Sequence, residues 1–161
     1  MKLTALSTLM VVLVLTGFAY GQDAERLYGV WEMTYYSRAG QVVDWTGIMI
    51  ITPKYFTRNY MAKQRHSFRD QYESLVDLPE REKDDMLEAL YSKYGSASGT
   101  YRVENDTLTF EPIVGGNPAL LGRRPSRQIE LDPSGTRLSL KGTMTRGYGV
   151  EEVWVRLEDF D

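Results

Sequence analysis

Eight short runs of alternating apolar and polar residues follow one another between Val30 and Leu157, and one helical stretch interrupts them. Period-two alternation is the signature of strands that bury one face. The runs are Val30–Ser37, Trp45–Ile51, Tyr55–Lys63, Gly99–Glu104, Thr107–Val114, Arg127–Leu131, Arg137–Lys141 and Val150–Leu157. In the first, Trp31, Met33 and Tyr35 are expected to share a face. In the third, Phe56, Arg58 and Tyr60 alternate with Tyr55, Thr57, Asn59 and Met61. Most connections are short and carry turn residues: Arg38-Ala39-Gly40-Gln41, Thr52-Pro53-Lys54, Asn105-Asp106 and Asp132-Pro133-Ser134-Gly135. Connections that short join antiparallel neighbours.

The period changes between about 67 and 94. Phe68, Tyr72, Leu75 and Val76 fall at helical spacing. Asp77-Leu78-Pro79-Glu80 reads as a capping box, and Met86, Leu87, Leu90, Tyr91 and Tyr94 form a stripe that Gly95 is placed to cap. Such a stripe packs as core or covers the end of the sheet.

Two motifs bracket the strands, Gly29-Val30-Trp31 and Trp154-Val155-Arg156. Closing the sheet makes the first and last strands neighbours, removes exposed edges and lets an early Trp meet a late Arg. The fold expected is a mainly β, eight-stranded antiparallel up-and-down barrel with a helical insertion at about 67–94. A β-sandwich of similar strand number is the alternative.

The N-terminus reads as an export signal over residues 1–21: Lys2, the apolar run Leu9–Leu15, then Ala19-Tyr20-Gly21 as a cleavage site. The apolar run is short for a membrane span, and an uncleaved anchor is the alternative. Residues 22–161 then form one domain, long enough to bury a core. The chain has no cysteine, so disulfides and cysteine lipidation are excluded and the core must supply the stability. Export without cysteine suits a secreted or periplasmic bacterial protein. The formal charge of −3 moves to −4 once Lys2 is removed, which argues against nucleic acid as partner. No stable membrane span is expected after cleavage, and the oligomeric state is open.

Polar residues inside strands are the candidates for function. Arg127 shares its alternation face with Ile129 and Leu131. Arg58 shares one with Phe56 and Tyr60. A guanidinium turned into a barrel requires an acid or an anionic ligand, because an unpaired buried charge is costly. A carboxylate-bearing molecule such as a fatty acid would suit Arg127; pairing with Glu111 or another acid, or simple exposure, is the structural alternative. Trp45, Tyr55, Phe56, Tyr60, Tyr101 and Phe110 either line a cavity or fill it. The ligand-binding set is thus Trp45, Phe56, Arg58, Tyr60, Tyr101, Phe110 and Arg127. The single histidine, His66, has Ser67 beside it, but adjacency is not triad geometry. Gly95-Ser96-Ala97-Ser98-Gly99 places Ala97 where a nucleophile elbow needs Ser. One His and no Cys argue against zinc. Asp84-Asp85 and Glu151-Glu152 read as solvated acids without calcium-loop spacing. Arg123-Arg124-Pro125-Ser126-Arg127 is the one basic cluster. No metal or cofactor is implied.

Four stretches together resemble the bacterial and fungal lipocalin-like domain family: Gly29-Val30-Trp31; the Gly47…Thr52-Pro53 hairpin; Tyr94-Gly95-Ser96-Ala97-Ser98-Gly99-Thr100-Tyr101; and Arg127…Arg137-Leu138-Ser139-Leu140 with terminal Trp154-x-Arg156. The resemblance implies a calycin-type barrel. It also implies a structural clasp of Gly29, Trp31, Trp154 and Arg156, in which the Trp plugs one end and the Arg stacks on it. Relatives often carry histidine on the strand that here reads Leu108-Thr109-Phe110-Glu111-Pro112. No single reaction is implied. Three functions remain open: an exported barrel binding a small apolar or amphipathic ligand; a cofactor-independent isomerase or cyclase using Tyr60, Tyr101 or Glu111; and a packed barrel acting through its surface on other proteins.

Overall fold

The alternation folds as a closed antiparallel barrel. The computed structural model describes residues 24–63, 79–144 and 147–160. Its strands are β1 (Gly29–Arg38), β2 (Gln41–Val42), β3 (Trp45–Ile51), β4 (Tyr55–Ala62), β5 (Tyr94–Glu104), β6 (Thr107–Gly115), β7 (Ser126–Leu131), β8 (Arg137–Thr143) and β9 (Gly149–Glu158). Each pairs antiparallel with its neighbour, and β1 closes the barrel on β9. The two-residue β2 is an extra, paired only to the end of β1 through Ser37↔Val42 and Arg38↔Gln41. The helix α1 (Glu80–Lys93) lies in the connection from β4 to β5.

The two ends differ. At one, short turns join β3 to β4, β5 to β6 and β7 to β8. At the other lie the longer connections, including the one that carries α1. The short-turn end is sealed. Arg156 packs its guanidinium 4.3 Å from the Trp31 ring centroid. It also donates to the carbonyls of Gly135 at 2.7 Å and Tyr28 at 2.6 Å, and pairs with Asp159. The Trp31 indole donates to the carbonyl of Leu27 at 2.9 Å, so residues 24–28 are drawn across the barrel end. Gly29 has φ +138°, and a Cβ there would lie 2.4 Å from the Glu158 carbonyl oxygen. Only glycine fits, which explains why the opening motif begins with it. Above this seal Trp31, Met33, Met49, Ile51, Phe56, Leu108, Phe110, Leu138, Leu140 and Trp154 fill the interior, each at most 2 % exposed.

Four local expectations are corrected. Trp31 and Met33 face inward, but a register shift between Met33 and Tyr35 breaks the alternation, and Tyr36 is the buried tyrosine. A bulge adds one residue and exchanges the faces beyond it. The helix starts at Glu80 behind Pro79, with no side-chain cap; Asp77, Phe68, Tyr72, Leu75 and Val76 lie outside the described residues. Gly95 caps no helix. It belongs to β5 opposite Tyr60, and a Cβ there would lie 2.2 Å from the tyrosine ring. The small residues Gly95–Gly99 therefore continue the strand, because tertiary pairing overrides their weak strand preference. Leu87 is 51 % exposed, so this member of the helix stripe is not core.

The seam between β6 and β7 has only three paired positions, Thr107↔Gln128, Leu108↔Arg127 and Thr109↔Ser126. Beyond it the Phe110 N–H still donates to the Pro125 carbonyl at 3.0 Å, but Pro112 and Pro125 have no N–H to extend the ladder.

Trp31→Ala is expected to remove about 3–5 kcal/mol of stability by leaving a large void at the seal. Urea unfolding measures it, and a melting midpoint equal to the parent's would refute the seal.

Candidate functional site

Inside the barrel, on the side of the core away from the seal, three charged side chains converge. Arg58 comes from β4, Arg127 from β7 and Glu152 from β9, with exposures of 7 %, 8 % and 1 %. Strand parity brings them there: Arg58 continues the inward row of Phe56, and Glu152 lies between inward-facing Val150 and Trp154. One Arg58 guanidinium nitrogen donates to Glu152 Oε1 at 3.0 Å. The Trp154 indole donates to Glu152 Oε2 at 3.1 Å. Both carboxylate oxygens are thereby engaged.

Arg127 is held differently. Its Nε lies 3.9 Å from Glu152 Oε1, beyond hydrogen-bond reach, and has no hydrogen-bond partner although it is buried. A terminal nitrogen donates to the carbonyl of Ser126 at 2.9 Å. The side chain lies against β8, where a Cβ on Gly142 would come within 2.8 Å of Arg127 Cδ. Two guanidinium groups thus share one carboxylate, and the cluster keeps a net positive charge.

The electrostatics follow that arrangement. Burial acts to lower Arg58, but Glu152 and Tyr60 outweigh it and hold the guanidinium above its ordinary pKa. Burial lowers Arg127, with Arg58 adding to the effect and Glu152 opposing it incompletely. Arginine stays protonated across the physiological range, so the result is an undercompensated buried cation. Tyr36 is raised by burial first, then by Tyr60 and Glu152.

Aromatic rings border the cluster. Arg58 sits 4.8 Å from the Tyr60 ring centroid and 5.4 Å from that of Phe110. Tyr60 packs on Trp45 at 5.2 Å, and Trp45 stacks on Tyr36 at 5.3 Å. Trp45 and Tyr60 are half-buried, and they belong to the ends of β3 and β4 away from the seal.

The structure therefore brings together Trp45, Arg58, Tyr60 and Arg127 of the expected set. Phe56 and Phe110 form a pair at 4.7 Å within the packed core. Tyr101 lies toward the seal, its hydroxyl donating to the Thr52 carbonyl at 2.7 Å, and burial beside Tyr28 raises its pKa. Glu111 faces outward, bonded to Arg102 and Thr100 and 3.3 Å from Arg124; the Arg102 bond holds its carboxyl below the ordinary range. Tyr60, Tyr101 and Glu111 consequently sit in three different places, and Glu111 is not the partner of Arg127.

Glu152 is the residue that sequence reasoning missed. It reads as half of a solvated acidic pair but is among the most buried side chains. The signal was its parity: Glu152 shares a strand face with Trp154. His66 and Ser67 lie outside the described residues. Among the described residues there is no group of three or more acidic or histidine side chains suited to a metal, and no helix is long and apolar enough to cross a membrane. On the outer wall, Ile50, Tyr55, Ile113 and Val114 border an apolar groove of about 370 Å³.

No family model matches the chain, and no curated protein matches it. Among solved structures it is similar to a redesigned beta barrel, at 18 % identity and a TM-score of 0.47, over 84 % of this chain and 95 % of that one.

The unequal sharing of Glu152 has a measurable consequence. Arg58→Met is expected to cost about 3–5 kcal/mol, because it removes the closest cation from a buried carboxylate. Arg127→Met is expected to stay within about 1 kcal/mol of the parent or to stabilise it, because it removes the surplus charge. Denaturant unfolding of both variants checks the order; the reverse order would contradict it.

Proposed function

We propose that this chain is an exported, lipocalin-like barrel that binds a small amphipathic molecule carrying an acidic head. The observation that carries the reading is the second buried guanidinium. A barrel built for stability alone gains nothing from Arg127, since a buried charge with an unpartnered Nε costs free energy. A carboxylate from outside supplies what Glu152 cannot, through charge-assisted bonds to Arg127. The apolar part of the molecule would then lie toward the half-buried rings of Trp45 and Tyr60, since aromatic walls with a few placed polar groups are typical of small-molecule sites. Export, and a secreted or periplasmic location, rest on the signal-like N-terminus.

The outer apolar groove favours a second reading, in which the protein acts through its surface on a protein partner. The two readings differ in the residues they need. Arg127→Leu is expected to weaken binding of decanoic acid roughly 10- to 100-fold, the value of hydrogen bonds to a charged group. Binding of the methyl ester should change far less. Equal losses for acid and ester, measured by calorimetric titration, would overturn the role of Arg127 and leave the surface reading in its place.

A further inference from the structure

We propose that Glu152 sets the charge of the head group, so that the barrel accepts one negative charge and refuses two. The inference rests on the reading of the cluster as an anion site and adds a selection rule to it.

The groups facing the site are Arg58 and Tyr60 from β4, Arg127 from β7, Glu152 from β9 and Tyr36 from β1, with Arg38 acting on Tyr36 from the end of β1. Two of the buried groups are cationic and one is anionic. A monoanion beside Arg127 brings the buried set to neutrality. A dianion leaves it negative, with the extra charge next to Glu152 in a region shielded from water, where like charges repel strongly.

Glu152 has little freedom to retreat. Oε1 is held by Arg58 at 3.0 Å and Oε2 by the Trp154 indole at 3.1 Å. Trp154 is itself fully buried and paired in register with Met33 of β1. Arg127 is also confined, because its stem passes over Gly142. The negative charge of Glu152 is thus a built-in part of the site. It subtracts one unit from what two arginines would otherwise attract. Carboxylates and sulfate esters meet the rule; phosphate monoesters meet it only while they keep their second proton.

Calorimetric titration of the full chain with octyl sulfate and octyl phosphate, at pH 5 and pH 8, tests this. The sulfate is a monoanion at both values, so its affinity reports any titration of the protein itself. The phosphate passes from monoanion to dianion around pH 6. The expected result is comparable binding of the two at pH 5 and a phosphate at least about tenfold weaker than the sulfate at pH 8. In Glu152→Gln, which removes the charge and keeps the shape, the deficit at pH 8 should disappear or reverse. Circular dichroism of that variant establishes its fold, and the wild-type comparison stands without it. A phosphate-to-sulfate ratio that is the same at both pH values, or a folded Glu152→Gln that keeps the deficit, would overturn the selection rule while leaving the anion site intact. Failure of both amphiphiles to bind at either pH would overturn the anion site, and the rule with it.

Discussion

The carboxylate of Glu152 is the point on which the interior depends. It receives a guanidinium from β4 and an indole N–H from its own strand, with a second guanidinium nearby on β7. Those three strands are far apart in sequence but face one another across the barrel. A single acid buried to 1 % exposure therefore ties the wall together and still leaves charge to spare. Removing the acid would leave two buried cations, whereas removing Arg127 would leave a matched pair. That asymmetry separates the pair that holds the interior together from the surplus charge on which the proposed anion site rests.

The barrel divides its work along its axis. At the sealed end, Trp31, Arg156, Gly29 and the carbonyls of Arg26, Leu27 and Tyr28 form a satisfied network, and the aromatic and aliphatic core stands on it. Arg156 is a half-buried cation whose donors meet carbonyl oxygens and Asp159. Arg127 lacks that satisfaction. Two arginines on one scaffold thus show opposite accounting: one completes a closure, the other is left short of a partner. The contrast is the reason the proposed ligand site is placed at Arg127 rather than at the conspicuous tryptophan motif, and fold alone would give no such reason.

Much of this was legible in the sequence because alternation constrains strands so tightly. Parity placed Phe56, Arg58 and Tyr60 on one face and turned Arg127 inward beside Ile129 and Leu131, and the terminal motifs pointed to closure. The failures have physical causes. The bulge after Met33 exchanges Tyr35 for Tyr36, and nothing in the local residue types announces it. Gly95 reads as a helix cap and the strand as resuming only at Gly99, because small residues have weak strand preference, yet β4 and β6 flank the segment and the Tyr60 ring needs the space at Gly95. Glu152 reads as solvated because a charged pair usually faces water. Its neighbour Trp154, two residues on, marks the same inward face.

The most direct measurement of the central claim, an undercompensated cation inside the barrel, is anomalous diffraction from crystals soaked in sodium bromide. Bromide is a compact monoanion with no apolar part, so it reports charge alone. A bromide is expected within hydrogen-bond distance of Arg127 Nε, with Arg58 and Glu152 still paired. Bromide confined to the outer surface, with Arg127 Nε bonded to a protein acceptor, would contradict it.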